Sequence, residues 1–238
     1  MADIRGILFD KDGTLVDFHA TWFALADLLA LRAADDDRAR ADALLEAAGF
    51  DFSAHRFRPD SVLAAGTNED IVALWYPHVP DAQRRVLVEE FDRVAATHTL
   101  ATPVALPGCR AALSALHAAG YRLGVATNDS TGGAERALLS LGVAQMFDAA
   151  FGYDAVANPK PAPDTVHAFC DLTGLKPSQL AMVGDNRHDL QMARAGGVGL
   201  AVGVLSGTGT FESLSPLADA VLDSIADLPD FLAVRAAS

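Results

Sequence analysis

The sequence predicts an α/β fold: a doubly wound, Rossmann-like parallel sheet carrying an inserted all-helical cap. Three observations predict it. Short apolar runs that stop abruptly at polar loops alternate with stretches of helical periodicity. Most of those helical stretches close on a glycine just past the last periodic residue. The alternation is broken once, straight after the first strand, by residues 17–101, which show helical pattern and no convincing strand.

Taken in order, Ile4 to Phe9 reads as a buried strand ending in Asp10-Lys11-Asp12-Gly13-Thr14. Helical segments follow at Ala20 to Leu31, Asp36 to Ala48, Asn68 to Trp75 and Asp81 to His98. The stretch Thr102 to Gly108, with two prolines, is the expected return linker. Gly108 to Ala119 is then a helix stopping at Gly120, and Arg122 to Thr127 a strand ending in Thr127-Asn128-Asp129. Ser130 to Leu141 stops at Gly142, and Pro163 to Leu172 stops near Gly174. Leu180 to Val183 is a strand ending in Gly184-Asp185-Asn186, His188 to Ala195 a helix stopping at Gly196, and Val198 to Val204 a last strand. The expected division is 1–16 with 102–238 as the α/β core and 17–101 as the helical cap.

The 238 residues are 51% hydrophobic, enough for a sizeable core and too much for disorder. The formal charge of −13 argues against nucleic acid and anionic membranes as partners. It also repels an anionic substrate, so a phosphate site needs a metal ion and locally placed cations. Cys109 and Cys170 read as reduced thiols rather than a disulfide framework. The N-terminal residues lack the signal-peptide pattern, and no apolar run has membrane-spanning length. The expectation is a soluble, cytoplasmic monomer or homodimer.

Four motifs carry chemistry, and each falls at or beside a predicted strand end, the ligand-binding edge of open α/β sheets. Asp10 and Asp12 are carboxylates two apart, able to hold a metal or to divide into nucleophile and general acid; a solvated turn is the other reading. Thr127 and Asn128 offer a hydroxyl and backbone N–H groups to phosphate oxygens, or serve a turn. Lys160, one of three lysines in the chain, stands between Pro159 and Pro161, a fixed cation on a stiffened loop, or a surface lysine. Asp185 and Asp189 lie four apart at a strand-to-helix turn, where they suit Mg²⁺ or helix capping.

In this order the motifs resemble the haloacid dehalogenase superfamily of aspartate-nucleophile hydrolases, over essentially the whole chain. The nearest likeness is to the phosphoglycolate phosphatase-like branch, whose helical cap follows the first motif. The resemblance implies a Mg²⁺-dependent phosphatase acting on a small phosphorylated metabolite through an aspartyl-phosphate. It implies Asp10 as nucleophile, Asp12 as general acid and base, Thr127 as phosphoryl ligand and Lys160 as the cation that orients Asp10. Mg²⁺ is expected between Asp10, the backbone carbonyl of Asp12 and Asp185, with Asp189 in an outer position or paired with Lys160.

Within that superfamily, Asp12 argues against dehalogenation, whose branch lacks this second aspartate. The phosphonate-cleaving branch uses a cap lysine, and no lysine occurs between Lys11 and Lys160. A sugar-phosphate mutase carries basic residues around a cap-loop glycine, where this chain has Ala64 and Asn68 beside Gly66. A non-catalytic binding protein would have no need of an intact motif set. Specificity is expected from the cap, with His19, Trp22, Arg56, Arg58 and Thr67 as candidates. Each also has a plain reading: packing for His19 and Trp22, solvated surface for Arg56 and Arg58, a helix N-cap for Thr67. The cap is expected to move about crossings near Val16 to Phe18 and Pro103 to Pro107.

Overall fold

A computed structural model describes residues 3–54, 56–58, 61–99 and 103–236. Strand β1 (Gly6–Phe9) leads into α1 (Phe18–Ala33), α2 (Arg38–Ala47), the two-residue strands β2 (Phe50–Asp51) and β3 (Arg56–Phe57), α3 (Val62–Ala65), α4 (Asn68–Trp75) and α5 (Asp81–Thr99). The alternation then resumes with α6 (Cys109–Ala118), β4 (Arg122–Ala126), α7 (Thr131–Ser140), β5 (Ala149–Phe151) and α8 (Asp164–Thr173). It ends with β6 (Leu180–Gly184), α9 (Arg187–Gly196), β7 (Leu200–Val204), α10 (Phe211–Leu214), β8 (Ala220–Leu222) and α11 (Leu228–Ala236).

Six strands form one parallel sheet in the order β5-β4-β1-β6-β7-β8. Central β1 pairs with β4 on one side (Gly6 opposite Arg122) and β6 on the other (Gly6 opposite Leu180). Its side chains alternate between two cores. Ile7 and Phe9 pack with Leu113, Leu116 and Val125 on one face, and Leu8 packs with Phe169, Met182 and Leu190 on the other. A strand buried on both faces is a continuous apolar run, which is why β1 was legible. The chain works outward from β1 first one way and then the other. The loops after β1, β4 and β6 therefore meet at one edge.

The residues between β1 and α6 bury a third apolar cluster of their own, with Leu25, Leu29, Leu45, Phe57, Val72 and Phe91 at its centre. The sequence shows no convincing strand here, but Phe50–Asp51 pairs antiparallel with Arg56–Phe57. Two-residue strands are too short to display a period of two, so no pattern reported them. The same applies to three-residue β5 and β8 in the sheet. The two crossings into and out of this segment run side by side. Asp17 N donates to Val104 O at 2.8 Å and Leu106 N to Leu15 O at 3.1 Å. Among the described residues no helix is long and apolar enough to cross a membrane. Both cysteines are free, and burial pushes the Cys109 thiol up to about 11.

Candidate active site

Asp10 follows β1 directly, its backbone N–H held by Val183 O at 2.8 Å. Thr127 follows β4 and Asp185 follows β6, so the two flanking strands deliver their polar ends to either side of Asp10. All three residues are buried. Lys160 comes from the loop before α8, and its Nζ donates to Asp10 Oδ1 at 2.7 Å and to Asp189 Oδ1 at 2.6 Å. Asn128 Nδ2 donates to the Lys160 carbonyl at 3.2 Å, tying that loop to the end of β4. Asp129 N in turn donates to Thr127 Oγ1 at 3.1 Å.

Carboxylate oxygens of Asp10, Asp185 and Asp189 lie within 4.8 Å of one another. Burial raises Asp10, with Lys160 opposing the rise and Asp189 adding to it. Burial together with Asp10 and Asp189 drives Asp185 well above the ordinary carboxylate range. Three buried carboxyl groups around one ammonium are short of positive charge. Their all-oxygen donor set fits a hard divalent cation. Asp189 has both oxygens engaged, the second by Asn186 N at 3.0 Å in the N-terminal cap of α9, so it also performs the capping that its sequence position suggested.

Asp185 is held by groups the sequence reading passed over. Its Oδ2 accepts from Thr208 N at 2.6 Å and Thr208 Oγ1 at 3.1 Å. A Cβ on Gly207 would come within 2.0 Å of that oxygen, and one on Gly13, where φ is +82°, within 2.5 Å. The run Ser206-Gly207-Thr208-Gly209, at the end of β7, is thus a cradle that only small residues can form. Its Gly/Ser/Thr composition at a strand's carboxyl end was the available signal.

Asp12 is held by another unrecognised partner. Lys11 is almost fully buried, and its Nζ pairs with Asp12 Oδ2 at 2.6 Å and Asp129 Oδ2 at 3.2 Å. The ammonium also lies 4.9 Å from the ring centroid of Trp22. Burial disfavours its charge, but the two carboxylates outweigh burial and the lysine is raised. Asp12 is raised too, by burial first, with Lys11 opposing and Asp129 and Asp10 contributing. Trp22 Nε1 donates a hydrogen bond to Asp12 Oδ1.

Asp10, Asp12, Trp22, Asp129, Lys160 and Asp189 line one cleft, whose empty space together with its open mouth is about 750 Å³. The sheet side contributes Asp10, Asp12, Thr127, Asn128 and Lys160, with Asn186 and His188. The opposite wall comes from α1, β3, α3 and α4. Of the specificity candidates, Trp22 lines this cavity and Arg56, Arg58 and Thr67 do not. Phe57, between the two arginines, is the residue of β3 that does. Side chains alternate along a strand, so the arginines point the other way. Arg56 is exposed, and Arg58 Nη2 donates to Glu46 O. Thr67 caps α4, accepting from Asp70 N at 3.2 Å. The His19 side chain lies outside the described residues.

The family model for haloacid dehalogenase-like hydrolases matches residues 4–197. The chain belongs to that family. Phosphoglycolate phosphatase of Salmonella typhimurium is 34% identical over 96% of this chain and 92% of its own length. The Escherichia coli enzyme of the same name is 32% identical over 95% and 91%. Among solved structures, a predicted phosphoglycolate phosphatase from Haemophilus somnus shares the fold at a TM-score of 0.73, with 23% identity over 98% of this chain and 99% of its own. CbbY from Rhodobacter sphaeroides, solved with phosphate, does so at 0.67, with 22% identity over 94% and 96%. The chain is a phosphoglycolate phosphatase-like hydrolase of this family, and its sheet-and-insert architecture is the family's.

Proposed function

We propose that the chain is a Mg²⁺-dependent phosphatase that hydrolyses a small phosphate monoester through an aspartyl-phosphate on Asp10. The observation that carries this reading is the pairing of Lys160 with Asp10 at 2.7 Å, beside the buried carboxyl groups of Asp185 and Asp189. A buried ammonium and a metal-type set of carboxyl groups beside Asp10, at one edge of the sheet, support that reading. Residues 17–101 serve as the cap on this reading, and 1–16 with 102–238 as the catalytic core.

Asp10, the backbone carbonyl of Asp12 and Asp185 would hold Mg²⁺, with Asp189 outside them. Bound there, the ion would supply positive charge against the phosphate oxygens and the incoming carboxylate. Thr127 and Asn128 bind the phosphoryl group, and Lys160 neutralises it while fixing Asp10 for in-line attack. In the first step an Asp10 oxygen bonds to phosphorus, the ester P–O bond breaks, and Asp12 gives its proton to the departing alkoxide. Burial raises the pKa of Asp12 while Lys11 opposes the rise, which moves the group toward the range a general acid needs. In the second step Asp12, now a carboxylate, takes a proton from water. The hydroxide bonds to phosphorus, the Asp10–phosphorus bond breaks, and inorganic phosphate leaves. Trp22 and Lys11 hold Asp12 in place throughout.

The relatives' name makes phosphoglycolate the first ester to assay. The test is hydrolysis of p-nitrophenyl phosphate by metal-stripped protein with and without added Mg²⁺. Activity is expected only with Mg²⁺, with Ca²⁺ inhibiting because it tolerates higher and looser coordination. Full activity in excess EDTA contradicts the proposal.

A further inference from the structure

The wall of the cavity facing the phosphate chemistry is apolar. Leu25 and Leu29 of α1, Phe57 of β3, Leu63 of α3 and Ile71 of α4 all line it. Among the described residues the cationic and potentially cationic side chains lining the cavity are Lys160 and His188, and both stand on the sheet side. Lys160 is already engaged with Asp10 and Asp189. The polar side chain from α4 is Asn68, whose Nδ2 donates to Asp92 Oδ1 at 2.7 Å. Asp92 also accepts from the phenol of Tyr153, so the group behind Asn68 is a carboxyl.

A phosphate ester bound with its phosphorus at Asp10 must direct its alcohol portion toward this wall. Glycolate would put a second carboxylate there. A buried carboxylate without a cation is strongly disfavoured, the Asn68 amide already gives one hydrogen to Asp92, and that neighbouring acidic group disfavours a second carboxylate further. An uncharged alcohol with an apolar face would instead remove hydrocarbon from water on both sides of the contact.

We propose that this enzyme's substrate is the phosphate monoester of an uncharged, largely apolar alcohol, and that the apolar wall of Leu25, Leu29, Phe57, Leu63 and Ile71 selects it against esters whose alcohol carries a carboxylate. The inference rests on the phosphatase reading above and narrows its substrate class.

The test compares kcat/KM for butyl phosphate and phosphoglycolate in the native enzyme and in Leu63→Arg, with p-nitrophenyl phosphate as a general reporter. Leu63 and Ala64 are only partly buried, so a long cation is tolerated better there than at Leu25; Ala64→Arg is the second variant should Leu63→Arg fail to fold. The native enzyme is expected to favour butyl phosphate by at least about tenfold. The arginine variant is expected to shift the ratio toward phosphoglycolate by about tenfold or more. Comparing ratios between variants cancels the intrinsic reactivity of the two esters. A native preference for phosphoglycolate, or a ratio unmoved in both folded variants, overturns the inference while leaving the phosphatase reading intact. Absence of turnover on all three esters, with Mg²⁺ present, overturns both.

Discussion

The indole Nε1 of Trp22 donates its hydrogen bond to Asp12, so a helix of the insert grips the second aspartate of the first motif. The other Asp12 oxygen is paired with Lys11, whose ammonium stacks over the same indole. Trp22, Lys11 and Asp12 therefore form one unit in which the placement of the proposed acid depends on where α1 sits.

Trp22→Phe keeps a ring over Lys11 and removes the donor to Asp12. Losing a hydrogen bond to an ionisable partner is worth about 1.5–3 kcal/mol. Turnover is expected to fall by roughly ten- to a hundredfold, with KM changing much less. Steady-state kinetics on p-nitrophenyl phosphate checks this. An equal rise in KM at unchanged kcat would mean that Trp22 merely binds substrate.

Lys11→Met preserves length and removes the charge that two buried carboxyl groups share. Breaking a buried pair from one side costs about 3–5 kcal/mol. Urea unfolding should show a loss of that order. A change below about 1 kcal/mol, the size of an exposed pair, would contradict the burial-based account.

Tyr153→Phe removes the bond to Asp92, which joins the segment after β5 to α5. The expected loss is about 1–3 kcal/mol, with faster hydrogen exchange in α5. Unchanged exchange would show that this bond does not hold α5 against the sheet.

The proposed metal site sets a pH dependence whose sign follows from the raised carboxyl groups. Asp10, Asp12 and Asp185 all titrate higher in the folded protein than in an unfolded chain. Their stabilising contribution is therefore full at acid pH and lost as pH rises through their folded values. Metal-free protein should lose stability from these groups on approach to neutrality, and Mg²⁺ should restore it. The gain in Tm on adding Mg²⁺ should be larger near neutral pH than at about pH 5. A gain independent of pH would place the cation elsewhere.

Much of this was legible in the sequence, for identifiable reasons. β1, β4, β6 and β7 are short apolar runs, and Asp10, Thr127 and Asp185 are the residues on which the first three stop. Lys160 stood out because lysines are scarce here and two prolines flank it. The supporting groups were harder to see. Lys11 looks like a solvated loop residue until folding buries it between Asp12 and Asp129, the latter 118 positions (129 − 11) further along the chain. Thr208 reaches Asp185 across 23 positions. Arg56 and Arg58 drew attention as cations, but the pleat of β3 turns Phe57 to the cavity instead. Pairings of this kind depend on three-dimensional placement and leave no local pattern.

Asp185→Asn bears on the division of labour between sheet and wall. Its loss should depress all esters alike, because in the proposed mechanism it serves the phosphate end that every substrate shares. Substitutions at Leu29 or Leu63 should change the ranking among esters. If Asp185→Asn reordered the esters as those substitutions do, the two halves of the cavity would not be separable.

The central claim is a covalent phosphate on Asp10, and rapid acid quenching of the Mg²⁺-loaded enzyme during turnover of a phosphate-radiolabelled ester tests it most directly. The account predicts protein-bound label that hydroxylamine releases, as an acyl phosphate requires, and no such label in Asp10→Asn, which should also lack turnover. Active native enzyme with no trapped label under single-turnover conditions, or Asp10→Asn retaining more than a small fraction of native kcat, would contradict it.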